Sequence, residues 1–290
     1  MTTVSLRESE VESDLRQALL ERIENGALEL PVLNQAATRV ATLCNECEAD
    51  PRELAEALSR DPSLAGHVLR VSNSSTYAPV QPIVSLQQAI SRLGMATLGQ
   101  IAFAVAVGER VFEVPGHESW ARELWRHSAL CAGWSREISR VRRRNGETTF
   151  LCGLMHDVGF PILVQAAADM LRKTGSDAPR ELLEPIVFDL HGAAGARLAE
   201  AWKMPDAVRE TMLAHHDLAQ KLKFPEDVRT VALADLLSHW SVDHHDEGTP
   251  EGVERLRGLE LLEQLGLYDD ELESLLERRE RVLDFAGALS

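Results

Sequence analysis

"FLCGLMHDVGF", residues 150–160, is an apolar run closed by an adjacent histidine and aspartate, His156 and Asp157, with Gly159 and Phe160 just beyond. Such a pair either helps to hold a metal ion or ends a buried helix with ordinary hydrogen bonds, and the surrounding chain must supply further donors for the first reading. Outward from it, helical periodicity dominates. "LNQAATRVATLCNE", "PRELAEALSR" and "ESWARELWRHSALCAGWSREISRVRRR" place apolar residues three and four apart. "EADPREL" and "SRDPSLAG" put Asp50 and Asp61 at N-cap positions, each followed by a proline in the first turn. The nearest approach to an extended pattern is "APVQPIVSL", a link held open by Pro79 and Pro82. The chain therefore reads as all-α, a two-lobed bundle of many short helices. An N-terminal helical extension is expected over 1–27, a first lobe over 28–112 and a second over 113–242, with the break at Pro115-Gly116. Over 243–290 the leucine spacing suits amphipathic helices packing back on the body.

The 290 residues carry 30 basic and 46 acidic side chains, a net charge of −16. That balance argues against direct binding to nucleic acid or anionic lipid, both of which need a positive footprint. No run approaches the roughly 20 uninterrupted apolar residues of a membrane span, and the N-terminus lacks the layout of a signal peptide. The expectation is a cytoplasmic protein. Four cysteines are too few for a disulfide framework in a chain this long. Cys44 and Cys47 form a C-x-x-C at a helix end, and half a zinc site there would need Cys131 and Cys152; structural thiols are the expected role. Trp125 and Trp202 are expected to anchor the core around a histidine cavity. The basic "RVRRRNGE", with Arg140 and Arg142 to Arg144, reads as a solvated helix end. His244 and His245 fall in a polar loop and read as incidental, and His67 and His117 carry no assignment.

Seven residues of the second half form the candidate site: His127, His156, Asp157, His191, His215, His216 and Asp235. A single histidine in a helix is ordinarily a hydrogen-bonded core or surface residue. Together, imidazole nitrogens and carboxylate oxygens are the donors that divalent iron, manganese or zinc takes at a hydrolytic centre. Two such ions about 3.5–4 Å apart can clamp a phosphoryl group.

Over roughly Leu28 to Ser238 the chain resembles the HDOD proteins, a bacterial signalling branch related to the HD superfamily of metal-dependent phosphohydrolases. The resemblance runs through "LPVLNQAATRVATL", "LAEALSRDPSLAGHVLRVSNSSTYA" and "IVSLQQAISRLGMATLGQIAF", then "LWRHSALCAGWS", "FLCGLMHDVGF", "HGAAGARLAEAWKMP" and "LAHH". Locally, "SRDPSLAGHVLRVSNSS" reads as a capped helix with Leu64, Val68 and Leu69 facing inward, and "AISRLG" as a helix closed by Gly94. The resemblance makes 113–242 the HD-like lobe. It implies that His156 and Asp157 are the HD pair, with Asp157 the bridging carboxylate, and that His127, His191, His215, His216 and Asp235 complete the ligand set. Catalytic relatives place a lysine where Phe160 stands, and "DLAQKLKFP" lacks the Gly-Tyr-Pro loop of the cyclic-di-GMP phosphodiesterases. Lys221 or Lys223 is left as a source of positive charge.

The resemblance, with these departures, implies a non-enzymatic regulatory module that binds a protein partner in a signalling pathway or a nucleotide, with a vestigial divalent-metal site. Any phosphorylation input would come through that partner. The alternative is a metal-dependent phosphohydrolase acting on a phosphate ester or nucleotide, with Asp157 bridging two metals.

Overall fold

A computed structural model describes residues 3–33, 38–40, 50–74, 76–77, 79–242 and 249–289. The C-x-x-C at Cys44 and Cys47 and the pair His244 and His245 lie outside these residues. Among the described residues there are fifteen helices and no strand, as the periodicity demands. They are α1 (Thr3–Glu24), α2 (Pro51–Ser59), α3 (Pro62–Ser72), α4 (Leu86–Leu93), α5 (Met95–Val111), α6 (Glu118–Val141), α7 (Gly146–Met155) and α8 (Gly159–Thr174). There follow α9 (Arg180–Ala201), α10 (Asp206–Ala214), α11 (Pro225–Val242), α12 (Pro250–Arg257), α13 (Glu260–Leu265), α14 (Asp269–Leu276) and α15 (Arg279–Leu289).

Local chemistry starts and stops these helices. Asp50 accepts a hydrogen bond from the Arg52 amide at 2.8 Å, and Asp61 accepts from the amides of Ser63 and Leu64, both at 3.1 Å. Asn73 ends α3 and pins the following link, its amide group donating to the Leu69 and Ile83 carbonyls while its oxygen accepts from the Ile83 amide. Gly94 joins α4 to α5 at φ 82° and ψ 162°, a conformation open to glycine alone, and not the left-handed helical cap expected from the sequence.

Helices α2 to α5 pack on one another, α6 to α11 form a second group around α6 and α7, and α5 meets α7 between them. Helix α1 lies against α8 and α9. The last two helices pack on α6, and α15 also reaches α3 and α5. The fastening is specific. Arg278 donates to the buried Glu137 carboxylate at 2.6 Å, Thr76 to the Arg281 carbonyl at 2.8 Å, and the Arg136 guanidinium sits 4.6 Å from the centre of the Phe285 ring. Phe285 is fully buried.

Two local expectations change. Trp125 packs on Phe112 and donates to the Leu289 carbonyl, while Trp202 packs on Phe103 and donates to the Pro31 carbonyl. Both therefore tie the second group of helices to N-terminal and C-terminal segments, not to a histidine cavity. The basic end of α6 is also not simply solvated. Arg142 is 10% exposed and bonds the Glu226 carboxylate at 2.6 Å and the Leu265 carbonyl at 2.7 Å, which recruits the cation to fasten α13. The segment Gly146–Thr174, with a mean hydropathy of 1.4 in its most apolar window, is long and apolar enough to cross a membrane by composition, but 89% of that window is buried. Its apolar side chains fill the core, and the turn at His156 and Asp157 breaks it in two.

Truncating Phe285 to alanine is expected to cost about 3–5 kcal/mol, the usual range for emptying a buried aromatic site, measured as a lowered midpoint in guanidinium unfolding at unchanged slope.

Candidate metal centre

The glycines of the opening stretch explain how the helices close on His156 and Asp157. A Cβ on Gly153 would lie 2.8 Å from the Cys131 carbonyl oxygen, so α7 touches the backbone of α6. A Cβ on Gly159 would lie 1.9 Å from the His191 carbonyl oxygen, so the start of α8 touches the backbone of α9. His156 caps α7, and the turn that follows is closed by hydrogen bonds from the Val158 amide to Met155 and from the Phe160 amide to Asp157. Helix α6 presents His127, α9 presents His191, the end of α10 presents His215 and His216, and α11 presents Asp235.

All seven candidate residues converge. Asp157 Oδ1 lies 3.4 Å from Nε2 of both His191 and His215, and Oδ2 lies 3.3 Å from His156 Nε2 and 3.6 Å from His127 Nε2. One carboxylate thus straddles two imidazole pairs. Asp235 Oδ1 lies 3.0 Å from His127 Nε2. The donors fall into three overlapping groups, within each of which the ligand atoms lie within 4.8 Å of one another: Asp157 with His191, His215 and His216; His127 with His156 and Asp157; and His127 with Asp235 and His239. His239 is the member that sequence reasoning missed. Its signal was there, because it stands four residues after Asp235 and so shares its helix face.

Backbone carbonyls decide which ring nitrogen faces the centre. Nδ1 of His156 bonds the Gly153 carbonyl at 2.8 Å, that of His191 the Phe188 carbonyl at 2.6 Å, and that of His215 the Thr211 carbonyl at 2.9 Å. A carbonyl only accepts, so Nδ1 carries the proton and Nε2 of the neutral ring offers a lone pair inward. The Nε2 atoms of His127 and His156 then stand 3.2 Å apart and those of His191 and His215 3.4 Å apart. Asp157 Oδ1 is buried without a hydrogen-bond partner. Inward Nε2 atoms of His156, His191 and His215 beside a carboxylate oxygen without a partner among the described residues are an arrangement that a cation satisfies.

The charges fit the same description. Burial alone would raise the pKa of Asp157, but His156 and His215 facing it outweigh that and hold it well below the ordinary carboxylate range. Asp235 is likewise lowered against the effect of burial, by His127 and His239. Burial pushes His191 down to about 4, so its ring is neutral near pH 7. His215 is buried too, yet Asp157 raises it above the usual value. Burial drives the Cys131 and Cys152 thiols upward, the latter to about 12, so both stay neutral.

Phe160 lies flat on the His191 ring, with centroids 4.4 Å apart and planes at 23°. Phe188, half exposed on α9, stacks on His216 at 5.4 Å. The side of the cluster where a lysine was expected in catalytic relatives is therefore aromatic. Lys223 is engaged elsewhere, paired with Asp206 at 2.9 Å.

A family model described as the HDOD domain matches residues 30–218. The chain belongs to the HDOD family. Among solved structures, it is similar to an HDOD domain protein of unknown function from Geobacter sulfurreducens, with a TM-score of 0.70 and 22% identity over 97% of this chain and 98% of that one. A Shewanella amazonensis SB2B protein provisionally named a metal-dependent phosphohydrolase has a TM-score of 0.73 at 21% identity, over 97% of this chain and 98% of that one. A Marinobacter aquaeolei VT8 protein provisionally named a signal transduction protein has a TM-score of 0.66 at 20% identity, over 96% of this chain and 66% of that one. At these identities the likeness establishes the shared fold. An uncharacterised protein of Treponema pallidum (strain Nichols) is 23% identical over 234 residues, which are 77% of this chain but 44% of that relative, so the HDOD chain spans less than half of its length.

Two outcomes test this geometry. Gly159→Ala should destabilise the fold by about 3 kcal/mol, the upper end of overpacking costs, because backbone and not a side-chain tip must move; denaturant unfolding measures it. The lowered pKa of His191 sets a pH dependence. Its neutral form is favoured in the folded state, so stability falls as pH drops from about 6.5 towards 4, where the unfolded chain takes up a proton first. His215, raised, acts in the opposite sense and in another window, its stabilising contribution being lost as pH rises above about 6.5. The effect is therefore read as the difference between chelator-treated wild type and His191→Gln, which should shrink as pH falls.

Proposed function

We propose that this HDOD protein is a regulatory module whose HD-like cluster holds one or two divalent metal ions without turning over phosphodiesters. The observation that carries the reading is the combination of a full donor set around Asp157 with Phe160 stacked on His191. A phenyl ring supplies neither charge nor donor to a phosphoryl group. Relatives provisionally named for signal transduction and for metal-dependent phosphohydrolysis support the two halves of the reading, regulation and metal.

In this reading Asp157 would hold metal together with His191 and His215 near its Oδ1, His127 and His156 near its Oδ2, and His216 in the same group as the first pair. Asp235 adds a second carboxylate beside His127, and His239 stands next to it. A bound ion would act as a Lewis acid and lower the pKa of a ligating water. The chain's own part is to turn the Nε2 atoms of His156, His191 and His215 inward, fixed by carbonyl bonds to Nδ1, and to keep two carboxylates ionised in a buried site. Borderline imidazole and hard carboxylate donors suit iron, manganese or zinc. With metal present, the cluster is a cross-link between α6, the turn before α8, α9, α10 and α11, and metal loading sets the rigidity of the surface offered to a protein partner in a cytoplasmic signalling pathway.

The second reading, a metal-dependent phosphohydrolase, is favoured by one observation: the donor set is undiminished. One experiment separates the two. Purified protein is analysed for iron, manganese and zinc, then incubated with bis(p-nitrophenyl) phosphate and a nucleotide panel beside Asp157→Ala and Phe160→Lys. Metal bound to wild type and lost in Asp157→Ala, without turnover by wild type, is the expected result. Metal-dependent hydrolysis by wild type that disappears in Asp157→Ala would overturn the regulatory reading.

A further inference from the structure

A group of cations that the His-Asp cluster does not use lies elsewhere on the molecule. A groove of about 650 Å³ runs between the end of α1, the segment after it, the end of α5 and the outer face of α8. Four cations line it: Arg22, Arg110, Arg172 and Lys173. Arg172 is paired with Asp169 at 2.9 Å. Arg22, Arg110 and Lys173 make no side-chain hydrogen bond or ion pair with any described residue. Elsewhere on the surface, cations such as Arg16, Arg180 and Arg197 have found a carboxylate. Three that have not, drawn from three helices distant in sequence and facing one concavity, outnumber the two carboxylates Glu29 and Glu113 beside them and offer donors to an anion.

The rest of the groove is shaped for more than a bare ion. Its volume falls in the range of small-molecule sites. The floor is apolar, from Pro31, Val111, Pro161 and Ile162. Gln165 donates to Asp169 at 2.8 Å, and its side-chain oxygen is buried without a partner, an acceptor left for a donor on a ligand. Glu29 and Glu113, also in the lining, are further acceptors. Cations for a phosphate, an apolar floor for a flat ring and acceptors for ring amino groups together describe a nucleotide.

We propose that this groove binds a nucleoside monophosphate, or the corresponding part of a larger nucleotide, as an effector. Arg22, Arg110 and Lys173 take the phosphate, Pro161 and Ile162 support the base, and the Gln165 oxygen accepts from it. The site is separate from the metal centre but adjoins it mechanically, because Pro161 directly follows Phe160, which stacks on His191. Occupancy thus bears on the first turn of α8, the helix that leads out of the His-Asp turn.

The full-length protein is titrated with AMP, GMP, CMP and UMP, and in parallel with the four nucleosides, by calorimetry and thermal shift. Wild type is compared with an Arg110→Gln/Lys173→Gln double variant and with Asp157→Ala. Both substituted cations are exposed, so the double variant should match wild type in unliganded melting temperature and metal content. The expected result is binding of at least one monophosphate, none of its nucleoside, a loss of about tenfold or more in affinity in the double variant, and retention in Asp157→Ala. Binding that survives in the double variant, nucleosides that bind as well as their monophosphates, loss confined to Asp157→Ala, or no binding of any of the four at millimolar concentration would each overturn the proposal. Because metal content is read on the same samples, failure of the groove and failure of the metal centre are distinguishable.

Discussion

The structure of the second group of helices turns on one buried carboxylate. Asp157 sits among four imidazoles whose Nε2 atoms point at it, and it stays ionised although it is buried. A buried charge is tolerated only when its surroundings compensate it, and here the groups placed to do so, as imidazolium or through a cation they hold, come from α6, the turn before α8, α9 and α10. Each histidine must be held at a fixed rotation, which is why His156, His191 and His215 each spend Nδ1 on a backbone carbonyl. The backbones must also come close. Gly153 and Gly159 bracket the His-Asp pair and remove the two Cβ atoms that would keep α6 and α9 away.

Around that centre the chain is fastened by polar contacts between segments far apart in sequence. The C-terminal helices reach both groups of helices through Arg278 to Glu137, Thr76 to Arg281 and the Arg136 guanidinium over Phe285. At the other end, Trp202 holds the Pro31 carbonyl, and Arg16 of α1 pairs with Asp189 of α9. The candidate metal centre and the proposed nucleotide groove meet at the start of α8, where Phe160 stacks on His191 and Pro161 and Ile162 line the groove. That is a physical basis for communication between an effector and the surface around the cluster, since packed helices shift as units.

Much of this was legible in the linear chain, and the reasons are local. Helix starts at Asp50 and Asp61 follow from side-chain capping and proline at the first turn, which need no tertiary partner. The all-α class follows from apolar spacing. The seven donors could be named because histidine and aspartate are chemically distinctive and because the order matched a known family. What escaped were properties of pairs. His239 is on the face of Asp235, but an exposed histidine becomes part of a cluster only when α6 brings His127 within 4.7 Å of its ring. Trp125, two residues before His127, looked like a cavity wall; on the helix it faces the other way, onto Phe112 and the chain end. Arg142 looked solvated until Glu226 and Leu265 met it.

By itself the sequence determined the helical class, the helix caps, the excess of negative charge and seven of the eight candidate metal donors, because each depends on residue type and short-range spacing. Tertiary structure alone decided that four of those imidazoles gather on Asp157, that three of them turn Nε2 inward, that Phe160 covers the His191 ring and that three cations without a partner among the described residues share a groove. These depend on distances between residues up to about 150 positions apart, such as Arg22 and Lys173, and no local pattern encodes such a distance. The stretch from Phe150 to Phe160 belongs to both accounts: its apolar letters and its His-Asp pair were readable at once, whereas the work of its two glycines became visible only with the helices they let in.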